Sequence, residues 1–361
     1  VKRLFMFGVM VLLVFGAASL LFAGGAAEED VDEAVEERDV ISATIAVAPP
    51  DYTNLAGEAF AAYVAAATDG EIQISTVLHD AVGGDQEATD QLRLGELEFN
   101  LAGGGGLAHA IPDVQVYNWP FLFANRSEFY ELMMEEQYVQ DITEHFLAET
   151  NNEIRFLAAG ENSIRHLYIT EGPIRVPQDL TDYGISMRTR ELPLDQQLFE
   201  ALGVAEVVAL PAPERYSALQ TGLIDATEGG LASAWAAGLL EVQEHVTLTG
   251  HAYDYFTLVV NNDFYESLTD DQQQAIQEGA RVAMWVNNGH AITEEQEVVE
   301  MMLAEGVQIY TPTPGELAEW QEIANQVGDD VMPELVSQDF IDLTMDALER
   351  VKDRLRQRSG Q

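Results

Sequence analysis

One uninterrupted helical pattern constrains this chain more than any other feature: it begins after Thr269, runs to Glu305 and contains no proline. Thr269 and Gln272 have the spacing of a capping box, in which two side chains satisfy each other's orphan amides. Gly306 supplies the stop. At 1.5 Å per residue the helix would be about 55 Å long. A small domain is narrower than that, so the helix is expected to cross between two lobes. Gly279 and Gly289 inside it would allow either a bend or the close packing of a neighbour.

The 361 residues suggest two domains, or one large one, at roughly 150 residues per domain. Short apolar runs alternate with helical patterns along the chain. Strands are expected at Ile41–Val47, Ile72–Leu78, Leu97–Leu101, Ile154–Ala158, His166–Thr170, Ile185–Arg188, Val207–Leu210, Ile224–Thr227 and Val307–Tyr310. Helices are expected at Leu55–Thr68, Asp85–Leu94, about Ser127–Glu149, Leu192–Leu202, Pro213–Thr221 and Leu231–Leu239, with two more at about Gly315–Val327 and Val336–Arg356. This rhythm is that of α/β layers with mainly parallel strands. No internal repeat of fixed period appears.

The N-terminal stretch is of another kind. Lys2 and Arg3 precede an apolar run from Leu4 to Ala23, and no acid occurs before Glu28. This pattern is that of a secretory signal over residues 1–23. A run of about 20 apolar residues could also stay as a membrane anchor. The small residues around Ala23 favour cleavage. Residues 24–39 are small or acidic and cannot build a core, so they are expected to form a flexible tether.

Charge narrows the function classes. Acids number 62 against 17 lysines and arginines, for a net charge of −45. Such a surface repels phosphate backbones, which argues against nucleic-acid partners. A hydrophobic content of 47% is too high for a disordered acidic chain, so a folded protein is expected. Cysteine is absent, which removes disulfides, thiolate nucleophiles and Cys-ligated metals. Lysine occurs only at Lys2 and Lys352. That imbalance reads as adaptation to concentrated salt, against the plainer reading of a generic acidic secreted surface. Screening length falls from about 10 Å at 0.1 M to about 3 Å at 1 M, so repulsion between acids is tolerable there. The melting temperature is therefore expected to rise steeply with sodium chloride, in parallel series with sulfate to separate screening from strengthened apolar burial. A flat response up to molar salt would rule the adaptation out.

Few motifs carry chemistry. No Gly-x-Ser-x-Gly elbow, His-Glu-x-x-His pair or Walker loop is present. Gly103-Gly104-Gly105-Gly106-Leu107-Ala108 fits Gly-x-Gly-x-x-Ala, but Pro112 cuts short the helix that a dinucleotide site needs. The glycines instead suit a close backbone approach, either to a ligand or to a neighbouring element. His290 and Glu294 stand four apart on the long helix, where a solvated acidic face is the simpler reading. No catalytic residue, metal site or cofactor is assigned. Arginine is scarce, so each one is informative. Arg188 ends an apolar strand, where open α/β sheets place ligands, and its fork could grip a carboxylate. An ion pair with one of the many acids is the competing reading, and Arg190 could be the inward residue instead.

Several ordered motifs resemble those of TRAP (tripartite ATP-independent periplasmic) solute-binding subunits, the DctP-like family. They include Gly83-Gly84-Asp85-Gln86-Glu87 with Leu92-Arg93-Leu94-Gly95, and Trp119-Pro120-Phe121-Leu122-Phe123. Arg165 followed by Pro173-Ile174, Asp179-Leu180 and Met187-Arg188 forms a further block. Another is Glu214-x-Tyr216-x-Ala218-Leu219-Gln220-Thr221-Gly222 with Asp225 and Glu228. The likeness spans roughly residues 42 to 350. It implies a two-lobed α/β periplasmic binding protein fold with the long helix spanning both lobes. Lobe I would be 40–162 plus 254–294, and lobe II 163–253 plus 295–361. It implies no catalysis: a monomer would capture a small organic carboxylate in the periplasm and pass it to membrane permease subunits. By the same resemblance Arg188 would grip the carboxylate and Arg165 would add a second cationic contact. Asp85, Gly103 and Gly104 would line the cleft from lobe I. Gly229 stands where relatives often carry a ligand-touching Asn. A secreted enzyme acting on organic acids, and an anchored ligand-sensing ectodomain, are the alternatives.

Overall fold

The computed structural model describes residues 40–47, 51–190 and 192–360, without the side chains of residues 51 and 52. The expected signal segment and acidic tether lie outside the described residues. Among those described, nine strands form one sheet: β1 (Ile41–Val47), β2 (Ile72–Leu78), β3 (Phe99–Gly103), β4 (Ile154–Ile169), β5 (Ser186–Thr189), β6 (Glu206–Ala209), β7 (Ala226–Gly230), β8 (His245–Asn261) and β9 (Gln308–Tyr310). Their order is β2-β1-β3-β8-β4-β7-β5-β6, with β9 paired to β8.

The centre of this sheet departs from the expected parallel pattern. β1 pairs in parallel with β2 and β3, and β5 with β6 and β7. Between these two parallel groups run β4 and β8, 16 and 17 residues long and antiparallel to each other. The expected strands Ile154–Ala158 and His166–Thr170 are thus parts of one strand. It runs through Gly160-Glu161-Asn162-Ser163, and its register shifts near Phe156, Glu161 and Arg165. Those irregularities bend the strand and re-aim its side chains. β8 is almost wholly buried, so it lacks the alternation that marks a half-exposed strand.

The long helix occupies Asp270–Ala304, and Thr269 and Gln272 close its capping box. Its first half packs on the helix Asp51–Ala67. A methyl group at Gly279 would lie 2.9 Å from Val64 Cγ2, so that glycine serves close packing. Ile276, Ala280, Ala283 and Met284 join the apolar core under β1 and β3. Further along, Val298 and Met302 join a second core with Tyr168, Leu219 and Leu231. One helix therefore ties the packing of both halves of the sheet together.

The expected helix at 127–149 is two helices, Arg126–Met133 and Glu136–Glu149. Glu135 causes the break: its side chain accepts the amide of Tyr138, which caps the second helix. The C-terminal region also divides. Helix Pro314–Leu335 packs on Pro193–Ala201, whereas Gln338–Ser359 packs on the pair 126–133 and 136–149. Phe340 stacks on His145 at 4.3 Å, and Thr344 Oγ1 lies 2.8 Å from Tyr138 Oη. The Trp119–Phe123 cluster is packing: Phe123 meets Phe129 and Tyr253 edge-on.

Candidate functional site

The C-terminal ends of parallel strands β5 and β7 face the end of β3 across a cleft. One part of it, about 410 Å³, lies between Gly103–Gly105 with Tyr255 and the guanidinium groups of Arg188 and Arg190. A second part, about 700 Å³, extends toward Arg215, Gly229, Ser233 and Glu294. Arg165, Arg188, Arg190 and Asp254 border both.

The arginines divide into two pairs with different environments. Arg165 donates through Nε to Glu228 Oε2 at 2.6 Å, through Nη2 to the other oxygen of Glu228, and through Nη1 to Asp254. Arg190 donates to both oxygens of Asp195 and, at 3.0 Å, to Asp254 Oδ1. Burial would raise the Glu228 carboxyl. Arg165, the hydrogen bond with His251 and Arg190 together hold it well below the usual carboxylate range. Burial would likewise depress Arg165, but Asp254 and Glu228 keep its guanidinium well above the ordinary value. Both arginines are paired with the protein's own acids and still border the cleft.

Arg188 is different. It is buried, and its Nε donates to the Leu210 carbonyl at 2.7 Å. Among the described residues it forms no ion pair, and neither Nη nitrogen has a hydrogen-bond partner. Burial, with Arg215, Arg165 and Arg190 nearby, pushes its pKa down to about 10 against the opposing pull of Glu228. It remains charged at neutral pH, and an anion entering the cleft would complete its fork. Arg215 shares this condition. Its Nε donates to Ala212 O at 3.1 Å, and burial lowers its pKa as well.

The structure places the other expected site residues as follows. Gly103 and Gly104 border the cleft, and Gly229 borders its larger part. Asp85 lies behind the glycine turn, with its Oδ1 3.4 Å from His79 Nδ1. Burial raises its pKa, while His79 and the amides of Gly103 and Gly106 oppose the shift. The glycine run mainly serves its neighbours. A Cβ at Gly106 would stand 2.0 Å from the Asp85 carboxyl carbon, and one at Gly104 would stand 2.6 Å from the Tyr255 hydroxyl. Gly105 alone among these three faces open space. Glu294, read as part of a solvated face, borders the cleft.

The site residues not singled out from the sequence include Asp254 and Arg215. Asp254 lies on β8, the strand that no pattern signalled. Arg215 stands between the motif residues Glu214 and Tyr216. No acid occurs three or four positions from it on either side, so no local helical ion pair accounts for it.

Comparison with known proteins converges on one family. The family model described as "Bacterial extracellular solute-binding protein, family 7" (DctP) matches residues 43–334. The 2,3-diketo-L-gulonate-binding periplasmic protein of Escherichia coli (strain K12) is 26% identical over 261 residues, which is 72% of this chain and 77% of the relative. A TRAP periplasmic solute-binding protein from Ochrobactrum anthropi, its C-terminus bound in the ligand-binding pocket, superimposes with a TM-score of 0.80 at 24% identity. The match covers 89% of this chain and 99% of that one. A TRAP periplasmic solute-binding protein from Chromohalobacter salexigens with bound D-glucuronate gives a TM-score of 0.72 at 27% identity, over 86% and 99% of the two chains.

Proposed function

Because the chain belongs to the family 7 bacterial extracellular solute-binding proteins, the DctP family of TRAP transport systems, we propose that it captures a small organic carboxylate and delivers it to a TRAP-type permease in the membrane. It is a binding protein, not an enzyme. The observation that carries the ligand class is Arg188: a buried guanidinium, facing a cleft, with both terminal nitrogens unused among the described residues. A guanidinium fork matches a carboxylate with two parallel hydrogen bonds. The relative named for 2,3-diketo-L-gulonate and the neighbour holding D-glucuronate support the same class. Arg165 acts by fixing Glu228 and Asp254 beside that fork rather than by gripping the ligand itself. Asp85 supports the wall from behind through Gly103 and Gly106.

The proposal includes export to the periplasm, with cleavage after the apolar segment 1–23. It also includes two lobes that close on the ligand: one built on β1–β3, the other on β5–β7, joined by β4, β8 and the long helix. Helix Gln338–Ser359, expected with the second lobe, packs on Arg126–Met133 and Glu136–Glu149, and this reading moves it to the first. Closure requires the ligand to bind the closed form better than the open one. The test is a thermal-shift screen of organic acids, followed by small-angle scattering with a stabilising acid. A ligand at 100 times its Kd should add about 2.7 kcal/mol of stability. The radius of gyration should fall on binding. No stabilisation by any carboxylate would overturn the reading.

A further inference from the structure

We propose that Arg215 is a second ligand-binding guanidinium, which fits the site to singly charged acids carrying an uncharged oxygen near the carboxylate (hydroxy, keto or sugar acids) rather than to dicarboxylates. The inference rests on the carboxylate-binding reading above and adds which acids the site accepts.

Arg188 and Arg215 are presented together. Their Nε groups are tied to the carbonyls of Leu210 and Ala212, two residues apart in the turn that follows β6. Both side chains border the same 700 Å³ cavity. Among the described residues, neither Nη nitrogen of Arg215 has a hydrogen-bond partner. Its guanidinium lies over Gly229: a Cβ at that position would stand 3.6 Å from Arg215 Nη1. A longer side chain at 229 would compete with Arg215 for that space. The glycine and the arginine therefore act as a pair, in which the missing side chain at 229 gives Arg215 access to the ligand.

The charge count decides between one acidic group and two. Among the described residues Arg165, Arg188, Arg190 and Arg215 face Glu228, Asp254, Asp195 and Glu294, four charges of each sign. One ligand carboxylate completes the Arg188 fork and already takes the wall to one net negative charge. A second would enter a buried region that is already net negative, and an uncompensated buried charge is strongly disfavoured. The donors remaining on Arg215 are then best matched by a neutral hydroxyl, keto or ring oxygen. A guanidinium donating to such an oxygen makes a charge-assisted bond without a net charge requirement.

The experiment is calorimetry at pH 7.5 on the full chain with five probes. D-glucuronate, D-galactonate and pyruvate carry one carboxylate and further oxygens; cyclohexanecarboxylate carries one carboxylate alone; succinate carries two. At least one of the first three should bind more tightly than both of the others. Arg215→Met keeps the apolar stem, and equal melting temperatures establish that it folds. It should weaken the best oxygenated acid about 10- to 100-fold, the range for a lost hydrogen bond to a charged group. Cyclohexanecarboxylate should be almost unaffected, while Arg188→Ala should abolish both. Wild-type affinity in Arg215→Met alongside lost binding in Arg188→Ala would overturn this inference and leave the carboxylate reading intact. Succinate binding more tightly than every oxygenated monoacid would overturn it too. Binding by none of the five would defeat both readings.

Discussion

Replacing Arg188 by alanine is expected to reduce affinity for the cognate acid by about 30-fold to several thousandfold, the equivalent of roughly 2–5 kcal/mol for one partner of a buried, hydrogen-bonded charge pair. Among the described residues Arg188 has no ion-pair partner, and Arg165 and Arg190 already hold Glu228, Asp254 and Asp195, so the fork is open to a ligand. Arg188→Lys should fail nearly as badly, since one ammonium cannot give two parallel bonds to a carboxylate. Stability should respond the other way. In the empty protein Arg188 is a buried cation without a counter-ion among the described residues, and its depressed pKa of about 10 reflects that cost. Arg188→Met, which keeps the stem and removes the charge, should therefore melt at or above the wild-type temperature without ligand. A variant that binds as tightly as the wild type would remove Arg188 from the site. A variant that binds weakly but is also strongly destabilised would make Arg188 a structural residue.

The site was legible in the sequence where chemistry sits on strongly patterned elements. Arg188 could be singled out because it closes a short apolar strand and because arginine is scarce, and it borders the cleft. The long helix was legible for the same kind of reason: its capping box and its stop are local, and local signals survive in a single sequence. β8 was not legible. It is covered on both faces, so its residues show no period of two, and Thr247, Thr249, His251 and Asp254 interrupt its apolar character. Those polar residues are satisfied by partners far away in sequence, as when Thr247 donates to Ile174 O and Asp254 accepts from two arginines. The same strand carries one acid of the site, so missing it hid the second acid that pairs with Arg165. The glycine run could not be resolved either. Whether Gly104 and Gly106 face a ligand or a neighbour depends on where Tyr255 and Asp85 fall, which only the tertiary structure fixes.

The second large effect is expected at Glu228. Glu228→Gln keeps the shape but removes the charge that Arg165 grips with two hydrogen bonds. Breaking a buried pair by removing one partner costs about 3–5 kcal/mol, because the remaining charge stays buried. Asp254 still pairs with Arg165, which should place the loss toward the lower end of that range. The dependence on pH distinguishes this from simple packing damage. Glu228 has a folded pKa well below its ordinary value of 4.5. A depressed carboxylate contributes stability that is present in full above the unfolded value. That stability fades as pH falls from about 4.5 toward the folded value. Acidification also relieves repulsion across a chain of net charge −45, which acts in the opposite direction. The wild-type curve alone therefore mixes two effects of opposite sign. The difference between wild type and Glu228→Gln isolates one of them, since the surface acids are common to both. That difference should be largest and constant near neutral pH, and should shrink steadily below pH 4.5. Melting temperatures that differ by the same amount at every pH would mean that Glu228 is not held ionised by Arg165. In that case the network would not be the rigid charged wall against which Arg188 presents its free fork.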